Sequence, residues 1–419
     1  MNFLIVLRSC TIAGLMLACV SHAQPQNSAI SFNETSTTAK TTLVSAFEAA
    51  WKRAVAASEV AGLNRQAQAE KFRAEALWAA PPFVEVSHRN DRLQSNKGAR
   101  ETEISVAVPL WLPGQKAAKQ DVASAALELS KLSHDEARLR VAESTRELLW
   151  QIAELEASMK LTEQQVALFQ AIADDVDKRV SAGDLARTDA LAAKGELLNA
   201  QTTHTQAIQQ LGAAKRQWTA LTGLVQVPST LPADMEQVVA RNLEEHPELR
   251  FVAQQVAVAQ KRVTLVDKSK RDAPELITSM RQDVGGRGMG SANSLGVALR
   301  IPLGTADRNA PLEAAALSEL EIAQSREQVR RTALVAAVDN ATSHLRSIHT
   351  QLEAEKARSS MLKERSQLMR SSFNAGETAL LELLRATNAS AQSEFSVARQ
   401  EAAMGLARAR LQQAYGQLP

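Results

Sequence analysis

The sequence predicts a mainly α-helical protein with a small β part, organised as two structural repeats. Three observations predict this fold class. Apolar residues recur at steps of four and three along residues 148–180, the spacing of a coiled-coil seam. Hydrophobic residues make up 45% of the chain and aromatic residues only 4%, which is typical of long helices packed through small side chains. Glycine and proline residues recur at a constant offset of 193 positions.

The coiled-coil seam defines a first helix hairpin. Its members are Leu148, Ile152, Leu155, Met159, Thr162, Val166, Phe169, Ala173, Val176 and Val180. The pattern stops at residues 181–185, where Gly183 is a turn residue, and a second helical pattern follows. We therefore predict a long helix, a tight turn at Gly183 and a returning helix.

A second copy of this pattern follows in the chain. The offset of 193 relates Pro81 to Pro274, Pro109 to Pro302, Gly183 to Gly376, and Gly223 to Gly416. Chance is a poor explanation, because the chain has only 17 glycines and 12 prolines in 419 residues. We predict a first repeat over residues 43–223, a linker over 224–233 and a second repeat over 234–419.

The N-terminus has the features of an export signal over residues 1–23. Arg8 precedes an apolar run, and the run is too short for a transmembrane anchor. Residues 21–23 (Ser-His-Ala) fit the small-residue cleavage rule. The alternative is a lipoprotein signal, with lipidation of Cys19. Residues 24–42, rich in Ser, Thr, Asn and Gln, are predicted to form a flexible N-terminal segment.

Both cysteines of the chain, Cys10 and Cys19, lie within the signal. The mature protein is therefore expected to have neither a disulfide nor a thiolate metal site. The formal net charge of +2 favours no nucleic-acid partner. No apolar run after the signal reaches the about 18 residues that a membrane-spanning helix requires.

Each predicted repeat has the same order of elements: a helix, a strand pair, a long helix and a shorter returning helix. The ranges in the first repeat are 43–80, 83–89, 102–110, 114–181 and 186–221. The ranges in the second repeat are 235–272, 276–282, 294–303, 310–373 and 378–415. Pro81 and Pro274 end the first helices, because proline has no backbone donor. The glycine-rich stretch 285–290 is predicted to be a surface loop between two strands.

The second strand of each pair alternates between apolar and polar residues. Ile104, Val106, Val108 and Leu110 alternate with Glu103, Ser105 and Ala107, and Leu295, Val297, Leu299, Ile301 and Leu303 alternate with Gly296, Ala298 and Arg300. Such a sheet has one apolar and one polar face, and each strand approaches the about 9–11 residues that cross an outer membrane. Four strands cannot close a barrel, so either the strands stay outside the membrane or several chains pool them.

Four short stretches carry a family resemblance. They are residues 108–115 (Val-Pro-Leu-Trp-Leu-Pro-Gly-Gln), 182–191 (Ala-Gly-Asp-Leu-Ala-Arg-Thr-Asp-Ala-Leu), 301–303 (Ile-Pro-Leu) and 375–377 (Ala-Gly-Glu). In this order, within two repeats covering residues 43–417, they resemble the TolC family of outer-membrane efflux proteins. The resemblance implies a homotrimer with a twelve-stranded outer-membrane β-barrel, continued by a long periplasmic α-helical coiled-coil barrel.

The resemblance also implies partners and a cargo. The partners are a periplasmic adaptor (membrane fusion) protein, an inner-membrane RND-type transporter and the lipid of a Gram-negative outer membrane. Residues 300–311 resemble the heavy-metal branch, the CzcC/CnrC-like proteins, which implies export of cobalt, nickel, zinc or cadmium. The alternatives are a drug-efflux or type I secretion channel and, from another class, an exported coiled-coil structural or adaptor protein without a pore.

The two hairpin tips are the predicted adaptor contacts in such a family member. They comprise Ser181, Ala182, Gly183, Asp184, Leu185, Asn374, Ala375, Gly376, Glu377 and Thr378. A simpler interpretation is that Gly183 and Gly376 only supply turns with a positive φ.

The resemblance also implies a closed periplasmic aperture lined by an acidic residue near the tip of the second repeat, and three charged residues are the candidates. Asp189 and Glu382 each lie six positions after a tip glycine. Three Glu382 carboxylates around one axis would repel each other and attract cations. Arg385 follows, and we expect it to form a latch with Asp189 of the neighbouring hairpin. The alternative for both acids is stabilisation by a helix N-terminus.

Nothing in the sequence indicates catalysis or a cofactor. The seven histidines are scattered, and no metal-ligand spacing, phosphate-binding loop or catalytic triad motif is present. We predict that the protein is not an enzyme and holds no resident metal or cofactor.

Overall fold

The computed structural model describes residues 41–228 and 242–419. The predicted signal, the Cys19 lipidation site, residues 24–40 and residues 229–233 of the predicted linker lie outside the described residues.

The described elements follow one order twice. The first run is α1 Leu43–Arg53, α2 Val55–Glu75, β1 Phe83–Asn90, β2 Arg100–Pro109, α3 Gln115–Ala182 and α4 Arg187–Thr222. The second is a 3₁₀ turn Leu243–Glu245, then α5 Pro247–Asp267, β3 Glu275–Val284, β4 Ser291–Arg300, α6 Ala306–Asn374 and α7 Leu380–Ala414. The two long helices have 68 and 69 residues. At about 1.5 Å per residue each is roughly 100 Å long.

The first predicted helix of each run differs from the structure. The range 43–80 is two helices, broken at Ala54, whose backbone is extended (φ −65°, ψ 134°). The break lets α1 bury Phe47 and Ala46 while α2 follows α3 in another direction. In the second run, residues 235–241 of the predicted range 235–272 lie outside the described residues. Over the described part, the helix begins at Pro247, because proline suits the first helical turn, and it ends at Asp267.

One antiparallel sheet joins the two runs in the order β1-β2-β3-β4. The central pairing of β2 with β3 places Ile104 opposite Met280. The predicted strand 294–303 runs too far, because β4 ends at Arg300, before Pro302, which cannot donate to a ladder. The glycine-rich stretch 285–290 forms the β3–β4 loop, as predicted.

The sheet register produces one continuous apolar face across all four strands. Its three rows are Val86, Ile104, Met280 and Leu295; Val84, Val106, Thr278 and Val297; and Val108, Leu276 and Leu299. Val297 is 77% exposed and Leu295 is 86% exposed in the single chain. The opposite face includes Glu103 and Arg281, which lie side by side, and is polar except for one row near the helices, which consists of Phe83, Ala107, Ile277 and Ala298. The predicted alternation is therefore confirmed within the strands.

The predicted seam packs along the helix hairpins. Ile152, Thr162, Phe169 and Val176 are buried, and the other seam members are at least partly buried. The hydroxyl of Thr162, the one polar member, lies 3.0 Å from Nδ1 of His204 on α4 and also bonds to its own helix backbone. This pairing accounts for a polar side chain inside an apolar seam.

Candidate functional site: the tips of the two helix hairpins

Both tips are turns of the Schellman type. In the first, Gly183 has φ +87° and the N–H of Asp184 donates to the carbonyl of Arg179 at 2.8 Å. In the second, Gly376 has φ +81° and the N–H of Glu377 donates to the carbonyl of Ser372 at 3.0 Å. Open space surrounds both glycines, so the positive φ alone accounts for glycine at these positions.

Arg179 ties the two tips together. Its guanidinium donates to the carbonyl of Phe373 at 3.1 Å and to Oδ1 of Asn374 at 3.3 Å, both at the end of α6. The same group lies 4.7 Å from the centre of the Phe373 ring and pairs with Asp175 at 3.1 Å. A cation here satisfies carbonyls at a helix C-terminus. The predicted contact residues 181–185 and 374–378 therefore lie at one end of the molecule.

No pattern in the sequence singles out Arg179 as a tip residue. The available signal was weak: a cation four positions before a tip glycine, with Ser372 at the equivalent place in the second run. A basic residue in the last turn of a helix normally indicates only a favourable interaction with its own helix. The partner of Arg179 lies on another hairpin, which no local pattern reveals.

An apolar core formed by α3, α4, α6 and α7 lies directly behind the tips. It consists of Phe169, Ile172, Ala173, Val176, Ala190, Ala193, Leu197, Ala200, Phe373, Leu380, Leu383 and Leu384. Leu185 of the first tip packs against this cluster. Two polar contacts flank this core. Lys194 forms a salt bridge with Asp177 at 2.7 Å, and the side chain of Asn388 donates a hydrogen bond to Glu196 at 3.1 Å. The core holds the exposed turn residues on a rigid support.

The three aperture candidates lie in the first turns of the returning helices. Asp189 accepts a hydrogen bond from the N–H of Ala186 at 3.2 Å, so it caps α4. Glu382 pairs with Arg385 at 2.7 Å on the same face of α7. Both partners of this pair are partly exposed. Within the described chain, Arg385 therefore pairs with Glu382 and not with Asp189.

The described residues form neither a metal site nor a membrane-spanning helix. Over residues 41–228 and 242–419, no three or more His, Cys, Asp and Glu side chains form a group that could hold a metal ion. Across these same ranges, no helix combines the length and the hydropathy needed to cross a membrane.

The fold of this chain is similar to the folds of several solved structures. The chain is similar to VceC from Vibrio cholerae, an outer membrane protein, with 14% identity and a TM-score of 0.73 over 90% of this chain and 96% of that one. It is similar to the CmeC outer membrane channel of Campylobacter jejuni, with 11% identity and a TM-score of 0.71 over 89% and 85%. A third similar structure is CusC, which changes conformation as it folds and forms a transmembrane channel; identity is 14% and the TM-score 0.73 over 90% and 92%.

Part of the sequence also matches a protein-family model. Residues 238–417 match the family model described as outer membrane efflux protein. A comparison with curated protein sequences finds no match. The family model matches 180 of the 419 residues, and the solved structures share the fold of the chain. No comparison distinguishes a heavy-metal branch within that family.

Proposed function

We propose that this protein is the outer-membrane channel of a tripartite efflux pump. The observation that carries the proposal is the combination of two features on one chain. One is a sheet with an exposed apolar face, and the other is a pair of helix hairpins whose long arms are each about 100 Å. An exposed apolar face of this extent suits a lipid environment. The alternative from another class of protein, an exported coiled-coil structural or adaptor protein without a pore, leaves the exposed apolar face of the sheet unexplained.

The proposed assembly is a homotrimer. β1 and β4 each have an unpaired edge, and open edges are not tolerated in lipid, because every backbone polar group there needs a partner. Three chains would pair these edges and supply twelve strands for one barrel, with the hairpins extending into the periplasm. We also propose that residues 43–223 and 234–419 are two structural repeats, which the repeated element order supports.

The hairpin tips are the proposed docking site for a periplasmic adaptor protein. Residues 181–184 and 374–377 are exposed, and both turns stand on the same rigid apolar core. The energy for transport would come from an inner-membrane RND-type transporter, and the channel itself would be a passive conduit. Adaptor binding would shift the tips from a closed toward an open arrangement.

Divalent heavy-metal cations are the proposed cargo, on the resemblance of residues 300–311. A deletion strain is expected to become hypersensitive to cobalt, nickel, zinc or cadmium, and a plasmid copy of the gene should restore growth. Copper and several organic drugs complete the growth-inhibition panel. Hypersensitivity to drugs alone would contradict the metal assignment and favour drug efflux, while leaving the channel proposal intact.

Replacing Glu382 with Gln should reduce the preference of the open channel for cations. One charge about 4 Å from a passing ion in water is worth about 1 kcal/mol, so the loss of three carboxylates in the proposed trimer should change the relative permeability at least about fivefold. The variant also leaves Arg385 without its carboxylate partner, so the local charge becomes more positive. The measurement is the reversal potential across a planar bilayer with a salt gradient.

The matched control for this prediction is Glu377→Gln, at an exposed tip acid without an ion pair among the described residues. It removes the same charge five positions earlier. An unchanged reversal potential in Glu382→Gln, or an equal change in both variants, would show that Glu382 does not line the narrowest part of the channel.

A further inference from the structure

The end of the sheet distal to the helices carries an unbalanced positive charge. Four cations there, Arg92, Lys97, Arg100 and Arg287, are exposed, and none forms an ion pair with another described residue. We call this set the distal cationic rim. Unpaired surface cations in such numbers create a local positive potential that a ligand of opposite charge can use.

The β1–β2 loop, which carries Arg92 and Lys97, is ordered by one carboxylate. Asp91 accepts hydrogen bonds from the hydroxyl of Ser95 at 2.8 Å and from the backbone N–H groups of Lys97 at 2.6 Å and Gly98 at 3.2 Å. The Ser95 hydrogen bond, with the backbone bonds, lowers the pKa of Asp91. Asp91 therefore stays ionised and is engaged within its own loop, and its single charge offsets only one of the four cations.

The second distal loop is attached to the first. The backbone N–H of Arg287 donates to the carbonyl of Lys97 at 2.8 Å. The β1–β2 and β3–β4 loops thus form one platform, and two members of the rim are held side by side on it. A preorganised arrangement of charges loses less entropy when it binds a ligand than mobile side chains do.

The charges on the polar face of the sheet are arranged differently. There Arg281 pairs with Glu101 at 2.9 Å and with Asp283 at 3.0 Å. Arg89 also lies 3.9 Å from Glu101. Arg281 and Arg89 on the polar face thus lie close to carboxylates, whereas the four cations of the rim, at the distal end of the sheet, have no such partner among the described residues.

The rim stands directly above the apolar face. Arg100 lies on the same face of β2 as Ile104, four residues farther toward the loops, or about 13 Å at 3.3 Å per residue. The row between them is polar and contains His88, Thr102, Gln282 and Asn293. Along the strands, the apolar rows are thus followed by a polar row and then by cations. A bilayer leaflet presents acyl chains, polar groups and phosphates in the same order.

We propose that the distal cationic rim binds the phosphate groups of anionic glycolipids in the outer leaflet of the outer membrane. The proposal rests on the membrane location proposed above. Binding would anchor the sheet at a fixed depth, with the apolar rows level with the acyl chains. A free phosphate would gain nothing from the apolar rows, which is why the lipid is the favoured source of the anion.

The test compares two fourfold variants of the purified full-length protein. The rim variant carries Arg92→Gln, Lys97→Gln, Arg100→Gln and Arg287→Gln. The control carries Lys71→Gln, Lys160→Gln, Lys178→Gln and Arg365→Gln, at exposed helix cations that likewise lack ion pairs among the described residues. Immobilised protein is exposed to detergent micelles containing bis-phosphorylated lipid A, and to micelles containing phosphatidylcholine instead.

The wild-type protein should bind the lipid A micelles, with an affinity that falls as salt is added. Loss of four cations should weaken binding about tenfold or more, whereas the control should match the wild type. Equal binding by the rim variant, no binding by the wild type, or inorganic pyrophosphate binding as tightly as the glycolipid would each overturn the proposal. Membrane fractionation of the wild type, run in parallel, tests the channel proposal separately, since lipid binding is measured in detergent.

Discussion

Replacing Val297 with Arg should prevent assembly of the protein in the outer membrane. Val297 lies in the middle of the three apolar rows and is 77% exposed in the single chain. An arginine near the bilayer midplane on the lipid face of a β-barrel costs about 2–4 kcal/mol, and three copies in a trimer would cost about 6–12 kcal/mol. That penalty approaches the whole stability of an ordinary domain. Heat-modifiable trimers in the outer-membrane fraction are the readout.

The control for this prediction is the next residue of the same strand. Ala298 is exposed on the opposite face, so Ala298→Arg would place the same side chain in the water-filled interior of the proposed barrel. We expect this variant to form trimers at close to the wild-type level. Equal assembly of both variants, or equal failure, would mean that the apolar face does not contact lipid.

Replacing Arg179 with Ala should favour the open channel. The variant loses two hydrogen bonds to the end of α6 and the contact with the Phe373 ring. Because the side chain of Arg179 is 25% exposed, we take about 2 kcal/mol per protomer, at the low end for charged hydrogen bonds. This corresponds to an about 30-fold shift between closed and open arrangements. Single-channel conductance in planar bilayers and sensitivity of cells to a large glycopeptide antibiotic are the measurements.

Two comparison variants distinguish loss of the Arg179 hydrogen bonds to the end of α6 from simple loss of a positive charge. Lys178→Ala removes the neighbouring cation, which is exposed and lacks an ion pair in the described chain, and should leave conductance unchanged. Arg179→Lys keeps the charge but cannot reproduce the planar fork, so an intermediate conductance is expected. The gating role would be excluded if Arg179→Ala conducted like the wild type while remaining trimeric.

Local periodicity accounts for the parts of the fold that the sequence predicted well. The seam along residues 148–180 specifies a helix of uniform packing, because steps of four and three return side chains to one side. The alternation around Val106 and Val297 specifies sheet faces, because successive strand residues point to opposite sides. Gly183 and Gly376 mark the tips through their positive φ. Each of these signals involves only neighbouring residues.

The predicted limits of helices and strands were wrong where a distant contact overrides a local preference. Nothing in the residues around Ala54 marks a helix break, and the break is needed only because α1 must reach the buried core while α2 follows α3. The strand 294–303 was predicted too far along the chain because its alternation continues past Arg300, although the ladder does not. Tertiary contacts thus decided the limits of elements whose type was already evident.

The sequence by itself determined that this protein consists of long helix hairpins and short two-faced strands, because hydrophobic periodicity is a local property of the chain. Only the tertiary structure decided which groups meet. It joined β2 to β3 across more than a hundred residues, placed Arg179 against Phe373, paired Glu382 with Arg385, and brought Arg287 to the loop of Lys97. The physical reason is that directional hydrogen bonds and ion pairs depend on distances of a few ångströms between distant segments, which composition and spacing do not specify.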